Sequence, residues 1–200
     1  MKLLNIVPVV SFVLLLVLLI GKIAVLKNRG IRVNSKTKKT VLQKTFLYPV
    51  FVLVAVLFIV ETFRITFPFS FSILPNRLIV PLIQSSQLQT TGAVVQLFAL
   101  VFLLVTFIHF KDSFRFGMNS ENHGKLLTNG VFSVSRNPFF VSLLIYFIGC
   151  SLFTPSCFFI GFTLAAFVGI HFSILKEEKF MFENYGEEYR DYAAKVRRYF

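Results

Sequence analysis

The chain has 200 residues, 56% of them hydrophobic and only 15% charged, with a mean hydropathy of +0.74. A water-soluble globule needs about a quarter of its residues charged, so these proportions exclude one and indicate a membrane protein. Lysine and arginine outnumber aspartate and glutamate by 21 to 9. The basic residues flank apolar runs instead of forming a domain, which favours anionic lipid over nucleic acid as their partner.

Five runs reach or approach the ~20 apolar residues that a helix needs to cross the hydrocarbon. They are Leu3 to Leu26, Thr45 to Val60, Gly92 to Phe110, Pro138 to Phe153 and Ser156 to Leu175. The expected fold is all-α, a polytopic membrane protein of about five transmembrane helices with a C-terminal cytosolic helical tail. It forms a single membrane domain over 1–200, with an N-terminal three-helix part at 1–110 and a loop, helical hairpin and tail at 111–200. The first run is longer than the ~7–15 apolar residues of a signal peptide and has no Ala-x-Ala before Lys27, so it reads as a retained helix. Lys22 is near enough to its end to snorkel.

The segment Lys27 to Lys44 carries seven basic and no acidic residues, Lys111 to Arg136 carries four basic residues, and the stretch after Leu175 carries six. The other connections hold Lys2, Arg64 and Arg77. The positive-inside rule then predicts the N-terminus outside and the C-terminus in the cytosol. Arg64 to Gln89 has three prolines among apolar residues, too broken to span, and is expected at the outer interface. Cys150 and Cys157 flank Thr154-Pro155; a disulfide there needs an oxidising compartment, and two small apolar membrane residues is the plainer reading. Past Leu175, KEEKFMFENYGEEYRDYAAKVRRYF reads as two helical pieces divided near Gly186. Tyr189, Tyr192, Val196 and Tyr199 fall at i, i+3, i+7 and i+10, one aromatic stripe of the second piece.

The chemistry gathers at SRNPFF. Asn137 suits an N-cap and Pro138 the first helical position, and the helix mouth with Arg136 beside it attracts an anion. Only Thr154-Pro155 joins the fourth and fifth runs, so they form an antiparallel hairpin. That brings Arg136 and Asn137 to Glu177 and Glu178, some forty positions on. Two carboxylates after a helix C-terminus oppose its dipole and call for a partner. His171, two turns before Glu178, shares its helix face. A ligand with both a carboxylate and an amine suits these groups. His109, His123 and His171 are scattered, so no metal site is expected.

The segments GVFSVSRNPFFVS, from Gly130, and HFSILKEEKFMFENYGEEYRDYAAKVRR, from His171, resemble the isoprenylcysteine carboxyl methyltransferase and phospholipid methyltransferase families. The shared pieces are the Arg-Asn-Pro turn, Glu-Glu and the Tyr-Gly-x-Glu-Tyr-x-x-Tyr tail, in the same order over roughly the C-terminal two-fifths of the chain. The resemblance implies a membrane methyltransferase using S-adenosylmethionine. Arg136, Asn137, Pro138, Glu177, Glu178, Tyr189 and Tyr192 would surround that cofactor at the cytosolic face, and Arg136, Glu178 and His171 would carry the chemistry. The acceptor it implies is lipid-borne or prenylated, either a carboxylate or a headgroup amine. Phe140 and Ser142 depart from the usual tyrosine and glycine. Gly117, Gly124 and Gly130 form no G-x-G-x-x-G, in keeping with a methyltransferase that lacks a dinucleotide-type domain. Two alternatives stay open: an NADPH-dependent membrane sterol-type reductase, whose pattern carries arginines at the positions of Glu177 and Glu178, and a non-enzymatic small transporter or assembly protein. The latter would place ionisable groups at mid-depth, where Gln96 is the clearest polar side chain.

Overall fold

The computed structural model describes residues 3–30, 48–67, 72–110 and 126–200. Within them the chain forms α1 (Val7–Asn28), α2 (Tyr48–Thr66), the one-turn α3 (Asn76–Ile79), α4 (Ser86–Phe110), α5 (Pro138–Phe153) and α6 (Cys157–Lys195). Short 3-10 turns occupy Leu3–Ile6 and Gly130–Ser133, and no strand occurs among the described residues. Helices α1, α2, α4 and α6 are each long and apolar enough to cross a membrane, and α5 is a shorter apolar helix of 16 residues. The protein is all-α and polytopic. Hydrocarbon offers no partner to backbone N–H and C=O groups, so apolar runs of this length must satisfy them internally, as helices. Val17, Phe51, Leu97 and Leu164 remain exposed on the outside of the bundle, where lipid replaces a polar face.

Side-chain pairs fix the direction of each helix. Phe12 of α1 meets Phe58 of α2 with ring centroids 6.1 Å apart, and Thr66 donates to the Asn5 carbonyl at 2.5 Å, so α1 and α2 are antiparallel. Ser11 of α1 bonds Gln96 of α4 at 2.5 Å, while Lys22 Nζ donates to the Phe107 carbonyl at 2.8 Å, so α1 and α4 are parallel. The α4–α5 contact is the closest in the bundle. A Cβ added to Gly92 would lie 2.4 Å from the Phe153 nitrogen and 2.7 Å from the Gly149 oxygen. Helix α6 returns along α5, with Phe162 against Phe147 at 5.1 Å and Thr163 bonded to Ser151 at 2.7 Å. Phe58 completes the core, stacked on Phe162 at 4.3 Å with Phe159 at its edge. Consequently Asn5 and the α5–α6 turn lie at one end of the bundle, whereas the start of α5 and the ends of α1 and α4 lie at the other.

Three helix boundaries depart from the sequence expectation by six residues or more. Helix α2 continues through Thr66, beyond Val60, and Glu61 Oε2 pairs with Arg64 Nε at 2.6 Å one turn on, so the two charges offset each other within the helix. Arg64 therefore belongs to α2 and not to the outer connection; Thr45 lies outside the described residues. Helix α4 begins at Ser86, six residues before Gly92, with the Ser85 hydroxyl accepting from Leu88 N–H at 3.4 Å as a cap. Helix α6 does not stop at Leu175 but runs to Lys195, interrupted at Gly186, where φ +54° and ψ −123° suit glycine. The change from apolar to polar at Leu175 marks a change of surroundings and leaves the backbone helical. Cys150 is buried and Cys157 exposed, and both are free thiols.

Candidate functional site at the mouth of α5

The start of α5 is a helix N-terminus with Pro138 in its first turn, as the sequence predicts. Its Asn137 takes the cap position in backbone terms only. No side-chain cap bond forms, and the amide reaches across the hairpin to Glu178 Oε1 at 3.4 Å and to the Arg198 carbonyl at 3.2 Å. Arg136 Nη2 stands 3.0 Å from Glu178 Oε1, and its Nη1 donates to the Ala193 carbonyl at 2.8 Å. Glu178 is 5% exposed, so an unpaired charge there would be costly. It has two cationic partners: besides Arg136, Arg198 approaches its other oxygen through Nε at 3.0 Å and Nη2 at 2.7 Å.

Burial opposes the charge on Glu178, but the bond to Arg198 and the field of Arg136 outweigh it and hold the carboxyl below the usual carboxylate range. The bond to Glu178 also raises Arg198 further above its ordinary value. Two guanidiniums around one carboxylate leave an excess positive charge. Within this cluster Arg136 Nε is buried and has no hydrogen-bond partner.

The remaining predicted residues fall at different distances from this centre. Tyr189 and Tyr192 are both buried, with ring centroids 5.9 Å apart. Tyr192 donates its hydroxyl to the Phe132 carbonyl at 2.6 Å, and burial pushes that hydroxyl up to about 12. Glu177 has an exposed side chain and takes no part in these bonds. His171 shares the helix with Glu178 but lies two turns away, about 10.5 Å along the axis. Its Nδ1 pairs with the Tyr199 hydroxyl at 2.7 Å. Phe140 packs against Phe139, and Ser142 donates back to the Pro138 carbonyl at 2.6 Å within α5. His123, Gly117 and Gly124 lie outside the described residues. Among the described residues no group of histidine, cysteine and carboxylate side chains could hold a metal.

The four-residue stripe does not survive the end of α6. The helix stops at Lys195, Val196 is extended, and residues 197–200 leave the helical register. That departure brings Arg197 and Arg198 across the mouth of α5: Arg136 N–H donates to the Arg197 carbonyl at 3.0 Å, and Ser135 to that of Arg198 at 3.4 Å. Arg198 was missed because continued helix would carry it off the stripe. The available signal was the demand of the paired carboxylates for a cation, which Arg136 alone was expected to meet.

Residues 87–188, just over half of the chain, match the phospholipid methyltransferase family. The match covers α4, α5 and most of α6, and thus Arg136, Asn137, Pro138, Glu177 and Glu178. No curated protein matches the sequence.

Proposed function

The chain belongs to the phospholipid methyltransferase family, and we propose that it transfers a methyl group from S-adenosylmethionine to a lipid-borne or prenylated acceptor at the cytosolic face of its membrane. The observation that carries this reading is the convergence of Arg136, Asn137 and Glu178 at one helix mouth, where Arg136 Nε is buried without a partner. The donor set fits a zwitterion. A ligand carboxylate would satisfy the orphaned Nε and meet the positive end of α5 beside Pro138. A ligand amine or ribose hydroxyls would go to Glu178 or to the exposed Glu177 beside it. Tyr189 and Tyr192 would flank the adenine with their rings, the Tyr192 hydroxyl already being committed to Phe132.

When bound, the cofactor supplies an electrophilic methyl on a positively charged sulfur. The protein's part is then to align an attacking lone pair with the methyl–sulfur bond and to keep water out. A carboxylate acceptor is ionised at neutral pH and brings its own nucleophile. An amine acceptor must lose a proton, for which His171 or a glutamate is the candidate base. A site at the rim of the bundle suits an acceptor that diffuses in the bilayer.

Calorimetry on the detergent-purified protein tests the site. S-adenosylmethionine should bind, and Arg136→Ala and Glu178→Ala should each weaken binding at least tenfold while circular dichroism shows helix retained. Unchanged affinity in both variants would reject the site. Labelled cofactor with a lipid extract separates the acceptors: label in a base-labile ester identifies a carboxylate, and base-stable label in a headgroup identifies an amine.

A further inference from the structure

In this structure Glu178 has no vacant oxygen: Oε1 carries Arg136 and Asn137, and Oε2 carries Arg198 through two N–H groups. A ligand amine can reach that carboxylate only if one of the cations leaves. The two arginines are not tethered alike. Arg136 is 12% exposed at its side chain and is also held by the Ala193 carbonyl, with its backbone N–H on Arg197. Arg198 is 35% exposed at its side chain, which bonds Glu178 through Nε and Nη2. Its backbone carbonyl accepts from Asn137 at 3.2 Å and from Ser135 at 3.4 Å, two long bonds that open when the strap lifts. Beyond it, Tyr199 reaches His171 on α6, and Phe200 lies 6.1 Å from Phe102 on α4, itself 54% exposed. Residues 196–200 therefore form a strap that bridges α6 and α4 across the mouth of α5.

We propose that Arg198 is an internal stand-in for the ligand's ammonium group, and that the strap of residues 196–200 is an autoinhibitory latch which a zwitterionic ligand displaces from Glu178. The inference rests on the cofactor site proposed above and adds the direction of its regulation. Glu178 keeps two charged partners in both states. In the closed state they are two guanidiniums, and in the open state one guanidinium and one ammonium, so the buried carboxylate is never left unpaired. Binding must include the loss of the Arg198 pair, which lowers the apparent affinity as any unproductive conformation does.

The sign of one substitution decides between a latch and an ordinary binding residue. With the full chain in detergent and S-adenosylmethionine as titrant, Arg198→Gln should bind at least threefold more tightly than the parent, because the competing cation is gone. Equal or weaker binding overturns the latch. A second measurement retains Arg198. In a Cys157→Ser background, Phe200→Cys should react at least threefold faster with a water-soluble maleimide when S-adenosylmethionine is saturating. An unchanged or slower rate overturns displacement of the strap even if Arg198→Gln fails to fold. Absence of S-adenosylmethionine binding to the parent protein would refute the cofactor site and the latch with it. Binding to the parent without tightening in Arg198→Gln removes the latch alone.

Discussion

Glu178 shows how one residue's neighbours decide its state. A carboxylate 5% exposed is unfavourable on its own, and it is retained here because two guanidiniums and an amide surround it. Removing it strands Arg136, so Glu178→Ala should lower unfolding stability by about 3 kcal/mol in a denaturant titration. Arg198→Ala, at a more exposed position, should cost less. The same geometry sets a pH response. The folded value of Glu178 is depressed, so its contribution to stability is complete above the ordinary glutamate value of ~4.3. It is lost as pH falls through the lower folded value. Thermal scans between pH 6 and pH 3 should show this loss, and Glu178→Gln should remove that part of the slope.

At the scale of the helix, glycines separate contact from empty space. Gly92 and Gly149 let α4 and α5 touch backbone to backbone, an approach that small residues permit within membranes. A methyl at Gly92 meets backbone atoms that cannot turn aside, so Gly92→Ala should destabilise by about 1–3 kcal/mol. Gly161 in α6 has nothing within 4 Å of an added Cβ, so Gly161→Ala should stabilise by roughly 0.5–1 kcal/mol through helix propensity. Unfolding of both variants in the same detergent checks the pair, and equal effects would contradict the packing described here. A polar cluster fastens α1 to this pair of helices: Ser11 bonds Gln96 at 2.5 Å and Tyr146 at 3.3 Å. Ser11→Ala removes both bonds, with an expected loss of about 1 kcal/mol.

At the scale of the whole molecule, Asn5 and the Arg136–Glu178 cluster lie at opposite ends of the bundle. The ends of α1 and α4, which the basic stretches follow in sequence, lie at the latter end, so the positive-inside rule predicts that end in the cytosol. Single cysteines at Asn5 and Lys195, in a Cys157→Ser background, should label from opposite sides of sealed vesicles. Labelling from one side would contradict the helix directions.

Length and apolarity determined by themselves that the chain folds as membrane-embedded helices, because hydrocarbon leaves a long apolar backbone few alternatives. The short link around Thr154-Pro155 likewise made the α5–α6 hairpin legible, and with it the meeting of Arg136, Asn137 and Glu178. Tertiary structure alone decided where charges could be tolerated. Glu61 and Arg64 stay within α2 because they pair and are packed, which a hydropathy pattern cannot register. Arg198 reaches Glu178 because the chain leaves the helix at Lys195 and crosses the mouth of α5. That crossing depends on contacts sixty residues apart, and local sequence periodicity contains no information about partners so distant.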